Sequence, residues 1–310
     1  MTSVGDRLDR LAAASARVPF RLKVALVWVA IFAVLAAIFA AAEFDIDWMR
    51  DNLWFIAQGL RYTLYIAIGG IVLAIVLALL GALGRISSNP IAYGISGFYV
   101  SFFRGTPLIV QMFLIYLAMP QIGINLHDRF PDVFPQSFAN TLVLDAAVAG
   151  IIALGLNYGA YMTEIFRAGI QSVAAGQGEA ADALGMNYRQ KMLKVVLPQA
   201  FRVIIPPTGN EFIAMMKDTA LVSFLGVTVA NAEVFRRAQL VGKADFKNLE
   251  AYVVAAGLYW ALTVIFTFFQ RRLETRVSRG YVRTVAATLP RDHDLPPPEP
   301  LLKHGTGGGG

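Results

Sequence analysis

Apolar residues run along this chain in blocks too long for the core of a water-soluble domain, and polar residues gather between them. Val24 to Ala42 and Thr63 to Gly84 contain no charged residue. Tyr99 to Met119 carries Arg104 near its start, and Leu142 to Thr163 carries only Asp145, again near its start. A shorter, broken block covers Phe212 to Ala232, and a last one covers Tyr252 to Phe269. A helix needs about 20 mostly apolar residues to cross the hydrocarbon core of a bilayer. The pattern predicts an all-α membrane protein with about six transmembrane helices, the fifth being the least regular.

Composition agrees with that reading: 56% of the 310 residues are hydrophobic and the mean hydropathy is +0.56. Basic residues precede the first block, as in a secretory signal, but its apolar run exceeds the ~7–15 residues of a signal core. It reads as a retained anchor. With no cysteine, neither a disulfide framework nor a thiolate metal site is available. His127, His293 and His304 are scattered over predicted loops and tail, where a lone histidine is ordinarily just solvated. A membrane-embedded enzyme would need a nucleophile with its base, or a metal cluster, facing one site. A carrier driven by an ion gradient should show internal hydropathy repeats and buried acidic ion sites, and no convincing repeat is present.

Lysine and arginine accumulate on the cytoplasmic side of membrane proteins. The amino-terminal segment holds Arg7, Arg10, Arg17, Arg21 and Lys23, whereas Glu43 to Gln58 holds Glu43, Asp45, Asp47 and Asp51 against Arg50 alone. The amino terminus is therefore expected in the cytoplasm. Six spans then put Arg85, Arg167, Arg189, Lys191, Lys194, Arg202, Arg271, Arg272, Arg276 and Arg279 on the same inner face, with the carboxyl terminus. One loop dissents: Glu233 to Glu250, assigned outside, carries Arg236, Arg237, Lys243 and Lys247. Inner-leaflet charge accounts for the pI of about 9.6 without any nucleic-acid partner. The tail after Arg291, with Pro296 to Pro298 and Gly307 to Gly310, is expected to be disordered.

Between the fourth and fifth blocks lies a long polar segment. Glu179 through Leu184 are helix formers flanked by Gly178 and Gly185, which can start and stop a short helix. A second helix is expected from Tyr188 to Val196, ending before Pro198. The two would make an elbow with Ala180, Ala183, Leu184 and Met186 gathered on one side. Such a face suits a protein partner or the lipid headgroups, and the pattern alone leaves both open.

Ionisable residues at membrane depth are costly and tend to face the bundle interior. Arg104 opens the third span with Gly105, Thr106 and Pro107, and either reaches the pathway or snorkels to the headgroups. Asn157, Tyr161 and Glu164 fall on one helical face, which could line a pathway; Glu164 could equally pair with Arg167. Gly155 and Gly159 form a G-x3-G pair suited to close helix packing. Lys217 and Asp218 sit in a segment broken by Pro206, Pro207 and Gly209, where they could hold charged substrate groups or bridge neighbouring helices.

Glu179-Ala180-Ala181, Gly185 and Leu197-Pro198, with Val195 where isoleucine is usual, resemble the E-A-A-x3-G-x9-I-x-L-P loop of ABC-importer permease subunits. The stretches Ser101 to Tyr116, Tyr158 to Ile170 and Lys217 to Ser223 narrow the resemblance to the polar amino acid permeases. It covers roughly Gly59 to Glu274, and the first span looks like an amino-terminal addition. The resemblance implies a five-helix permease core of the type I importer fold over residues 59–274, with a coupling loop at 168–205. Residues 1–58 and 275–310 would be the amino-terminal extension and the cytoplasmic tail. It further implies that Gly178, Glu179, Ala180, Ala181, Leu184 and Gly185 contact a cytoplasmic ATPase. The chain has no G-x4-G-K-[ST] phosphate loop, so ATP and magnesium are expected on that separate subunit. The other implied partners are a second ATPase, a second permease copy or sister permease, and an extracytoplasmic amino-acid-binding protein. Pathway candidates are Asn157, Tyr161, Glu164, Arg104 and Lys217.

Overall fold

The structure, a computed structural model, describes residues 19–277, and all regular structure among them is helical. The basic residues Arg7, Arg10 and Arg17 and the tail from Ser278 onwards lie outside the described residues. In chain order the helices are α1 (Phe20–Ala41), α2 (Ile46–Ala57), α3 (Leu60–Arg85), α4 (Pro90–Gly105), α5 (Leu108–Arg129) and α6 (Gln136–Thr141). They continue with α7 (Ala146–Gln171), α8 (Ala175–Ala183), α9 (Tyr188–Lys191), α10 (Leu197–Asp218), α11 (Val234–Ala244) and α12 (Asn248–Val277). A π-helical turn, Met192–Val196, joins α9 to α10, and a 3-10 turn, Thr219–Leu225, follows α10. Five segments are long and apolar enough to cross a membrane: α1, the α2–α3 unit, α5, α7 and α12. The proline-bearing, charged α10, 22 residues long, is outside these five and stands where the pattern predicts the fifth block.

Two spans differ from the hydrophobic pattern. Tyr99 to Met119 is one apolar block but two helices, because Pro107 forces Thr106 to an extended conformation (φ −120°, ψ 147°) and ends α4 there. The fifth span lies earlier than Phe212 to Ala232: its regular helix is α10, with Pro206 and Pro207 inside it, and Gly226 to Ala232 is irregular. Prolines within a membrane helix are tolerated where neighbours satisfy the freed carbonyls. Gln270 Nε2 of α12 braces the proline-bearing stretch, donating to the Pro206 carbonyl at 3.2 Å and to Asn210 Oδ1 at 2.8 Å.

The centre of the bundle is the α3–α7 pair. Gly69, Leu73, Leu77 and Gly81 of α3 meet Ile151, Gly155, Gly159 and Thr163 of α7 in that order, so the two helices run parallel with their registers locked. A Cβ on Gly155 would stand 2.5 Å from Leu73 Cδ2, and one on Gly159 would stand 2.6 Å from the Tyr99 hydroxyl. The G-x3-G pair is thus a packing seam. Gly70, Ala74, Ala78 and Ala82 are buried along α3, the small-residue spacing that lets membrane helices approach closely. Burial follows this centre: 72% of the apolar stretch of α7 is enclosed, against none of that of α1.

The dissenting basic loop, residues 233–250, has internal partners. Arg237 is buried, and its guanidinium donates to the carbonyls of Ala232, Val229 and Phe55 and to Gln58 Oε1, at 3.1–3.3 Å. Arg236 Nε donates to the Val227 carbonyl at 3.2 Å. Lys247 Nζ pairs with Asp45 Oδ2 at 3.2 Å and with Glu250 at 3.7 Å. The Trp48 N–H and the Lys247 ammonium hold the Asp45 carboxyl below the usual carboxylate range, and Asp45 in turn raises Lys247. Three of the four cations of this loop are therefore neutralised or consumed within the fold and say little about orientation.

Candidate functional site

The break between α4 and α5 leaves the last carbonyls of α4 without helical partners. Three side chains take them up. Thr106 Oγ1 donates to the Phe102 carbonyl at 2.9 Å. Gln111 Nε2 donates to the carbonyls of Phe103 at 2.9 Å and Thr106 at 3.0 Å and to Thr106 Oγ1 at 2.6 Å. Asn157 Nδ2, from the middle of α7, donates to the Phe103 carbonyl and to Gln111 Oε1, each at 3.0 Å. Gln111 and Asn157 are both buried. A broken helix is held open at the centre of the bundle by a closed amide network.

Beside the break is a cavity of about 410 Å³ lined by Thr106, Pro107, Leu108, Asn157, Tyr158, Tyr161, Glu211 and Asp218. Its volume falls in the ~300–1,000 Å³ range of small-molecule sites. Tyr158 O–H donates to Asp218 Oδ2 at 2.7 Å. The Arg104 guanidinium stacks on the ring of Tyr161, which lines the cavity, 5.1 Å from its centroid. The α5 N-terminus opens at Pro107, so its first amides and the positive end of its dipole are directed to the same space.

The face predicted from Asn157, Tyr161 and Glu164 divides. Asn157 and Tyr161 line the cavity, with Arg104 one ring away. Glu164 lies a turn beyond, where its carboxylate pairs with Arg167 at 2.7 Å and Arg85 at 3.6 Å. Lys217 is exposed and outside the cavity lining, whereas its neighbour Asp218 is in it. Sequence reading did not single out Tyr158 or Glu211. Glu211 stands seven residues before Asp218, two turns of the same helix, and was placed outside the span by starting that span at Phe212.

At the basic end of the bundle α8 and α9 form the expected elbow, with two differences. Helix α8 begins at Ala175, earlier than expected, and takes in Gly178. Helix α9 does not stop before Pro198 but passes through the π-helical turn into α10; Leu197 N–H bonds back to the Met192 carbonyl. This wider turn accommodates a proline that lacks an N–H and would crowd a regular helix. Gly185, at φ +72°, ends α8: Met186 N–H bonds to the Ala181 carbonyl at 3.1 Å and Gly185 N–H to that of Asp182 at 2.9 Å. Asn187 and Gln190 form a reciprocal cap on α9, and Lys191 Nζ bonds both Asp182 oxygens at 2.8 Å. Ala181 is buried, while Glu179, Ala180, Leu184 (76% exposed) and Tyr188 (64%) face outward.

The sequence pattern of the family described as "Binding-protein-dependent transport system inner membrane component" matches residues 70–279. The chain is 38% identical over 238 residues to the "Probable amino-acid permease protein YxeN" of Bacillus subtilis (strain 168), covering 76% of this chain and 98% of that protein. It is 37% identical over 235 residues to the "L-cystine transport system permease protein TcyB" of the same organism, covering 75% and 91%. Among solved structures, the "Crystal structure of an amino acid ABC transporter with histidines" superposes with a TM-score of 0.63 at 33% identity, covering 75% of this chain and 99% of that one.

Proposed function

The chain belongs to the binding-protein-dependent transport system inner membrane components and is a permease subunit of an ABC amino-acid importer, from which we propose how it is coupled and what it carries. A polar amino acid crosses through the cavity at the α4–α5 break by alternating access, and no bond of the substrate is made or broken. The α8–α9 elbow seats in a cytoplasmic ATPase through Glu179, Ala180, Leu184 and Gly185. Two such ATPases hold the ATP and magnesium. A second copy or sister permease completes the pore, and an extracytoplasmic binding protein delivers the substrate. The basic end of the bundle, with Arg85, Arg167 and the elbow, faces the cytoplasm.

The observation that carries the coupling assignment is the construction of the elbow. It is capped at both joints and pinned by the Lys191–Asp182 pair, yet presents Leu184 and Tyr188 outward. A rigid element with an outward apolar face transmits displacement, as a flexible loop would not. Closing the ATPase dimer draws two elbows together and turns the pore outward. The test is Gly185→Trp in the assembled importer: ATP hydrolysis persists while amino-acid uptake is lost. Unchanged uptake overturns the assignment.

A further inference from the structure

Resting on the reading that puts the basic end of the bundle in the cytoplasm, we propose that the last turns of α12 hold an anionic phospholipid of the inner leaflet, its phosphate on Arg271, Arg272 and Arg276. With Phe268 and Thr275 these residues line an open groove of about 470 Å³ among the described residues. They follow one another at helical spacing and so share one face of α12. The Arg272 guanidinium stacks on the Phe268 ring, 5.0 Å from its centroid, which sets it at the boundary between the apolar and charged parts of that face. Thr275 Oγ1 is committed to the Arg271 carbonyl at 2.8 Å, which leaves the guanidinium groups as the donors for an anion.

Other cations of the fold have carboxylates: Arg85 and Arg167 share Glu164, Lys191 has Asp182, and Lys247 has Asp45 and Glu250. Among the described residues Arg271, Arg272 and Arg276 form no ion pair. Glu274, in the same turns, lies on the side of α12 turned to α10, where it accepts from Gln270 Nε2 at 2.9 Å. What stands above the arginines decides the kind of anion. Val264, Ile265 and Phe268 continue the groove face toward the middle of the span and are each about half exposed. From Val264 to Arg272 this face runs for about 12 Å. A free phosphate would use the charged end alone. A phospholipid lays its acyl chains on the apolar part and its phosphate against the guanidinium forks, which match phosphate oxygens. A zwitterionic lipid brings an ammonium toward the same arginines and is disfavoured.

The experiment uses the assembled complex of permease and ATPase in detergent, with bound lipid counted by native mass spectrometry. Dioleoyl phosphatidylglycerol and dioleoyl phosphatidylcholine are titrated separately, and phosphatidylglycerol should bind at least about tenfold tighter. One basic residue beside an anionic headgroup contributes roughly fivefold, so Arg272→Gln should weaken phosphatidylglycerol by about that factor and R271Q/R272Q/R276Q by more, with phosphatidylcholine unchanged. Arg129→Gln, which removes an exposed cation of α5, should alter neither. Equal binding of the two lipids, a triple variant that binds like wild type, equal weakening by Arg129→Gln, or no bound lipid at all overturns the inference. Displacement of phosphatidylglycerol by millimolar inorganic phosphate overturns it too, in favour of a free-phosphate site. Should the triple variant fail to assemble, Arg272→Gln and the wild-type ranking decide. Placement is tested separately with Thr275→Cys, the sole cysteine of that chain, and a membrane-impermeant maleimide in right-side-out and inverted vesicles. Labelling from the outside alone overturns the cytoplasmic reading, whereas labelling from the inside without lipid preference overturns the lipid site alone.

Discussion

Replacing Asn157 by leucine keeps the number and branching of the side-chain heavy atoms and removes the amide that ties α7 to the α4–α5 break. Two hydrogen bonds go, those to the Phe103 carbonyl and to Gln111 Oε1, each 3.0 Å long and away from water. Phe103 keeps a donor in Gln111 Nε2, but Gln111 Oε1 loses its partner. An orphaned buried acceptor costs about 1–3 kcal/mol, and a second interhelical bond in a membrane bundle is worth about 0.6 kcal/mol. The expected loss is about 2–3 kcal/mol, or roughly 4–12 °C in melting midpoint for a protein of this size. The assay is thermal unfolding of the purified subunit in detergent, paired with substrate affinity of the assembled importer. Asn157→Asp discriminates further: a carboxylate in place of the amide donor faces the Phe103 carbonyl and should be at least as damaging as leucine. If Asn157→Leu leaves both the midpoint and the affinity unchanged, or if aspartate is tolerated better than leucine, the amide network does not hold the break open.

Other outcomes follow from the same geometry. Gly155→Ala places a methyl group 2.5 Å from Leu73 Cδ2 and should lower stability by about 1–3 kcal/mol, measured as a drop in midpoint, whereas Gly94→Ala, with open space around it, should leave it unchanged. Gly185→Val forces a β-branched residue to φ +72°, costing about 1–2 kcal/mol in the α8 terminus; transport should fall more steeply than ATP hydrolysis when both are assayed in one preparation. The Asp45 carboxyl is lowered when folded, so its contribution is fully present above the unfolded pKa near 4 and is lost as pH falls through the folded value. Lys247 is raised, so its contribution is present below an unfolded pKa near 10 and is lost as pH rises through the folded value. Asp45→Asn keeps the cap on Trp48 N–H but not the ion pair, so its deficit in melting midpoint should be largest between about pH 5 and 9 and shrink below about pH 4.

Much of this was readable because it rests on local spacing. Gly155 and Gly159 announced a close seam by their separation alone, and Gly185 announced the end of a helix through the one conformation glycine adopts freely. The Thr106 break was harder, since hydropathy is blind to it. Valine and phenylalanine stand on both sides of Pro107, and only the orphaned carbonyls, answered by Gln111 and Asn157, reveal that two helices meet there. The basic loop misled for a related reason. Counting charges assumes they face solvent, but Arg237 faces four carbonyl and amide oxygens inside the fold. Glu211 went unnoticed because its importance depends on the register of α10, which starts fifteen residues before the apolar block it was assigned to, Phe212 against Leu197. Pro198 appeared to stop a helix because a π-helical turn, invisible in composition, makes room for it.

Reconstitution tests most directly whether this chain is a passive pathway driven by a separate ATPase. The chain is placed in liposomes with its ATPase and binding protein, and labelled amino acid is followed with and without ATP. Accumulation that requires ATP, the ATPase and the loaded binding protein together is the predicted result. Accumulation by this chain alone, driven by a proton or sodium gradient with no ATP present, would contradict it.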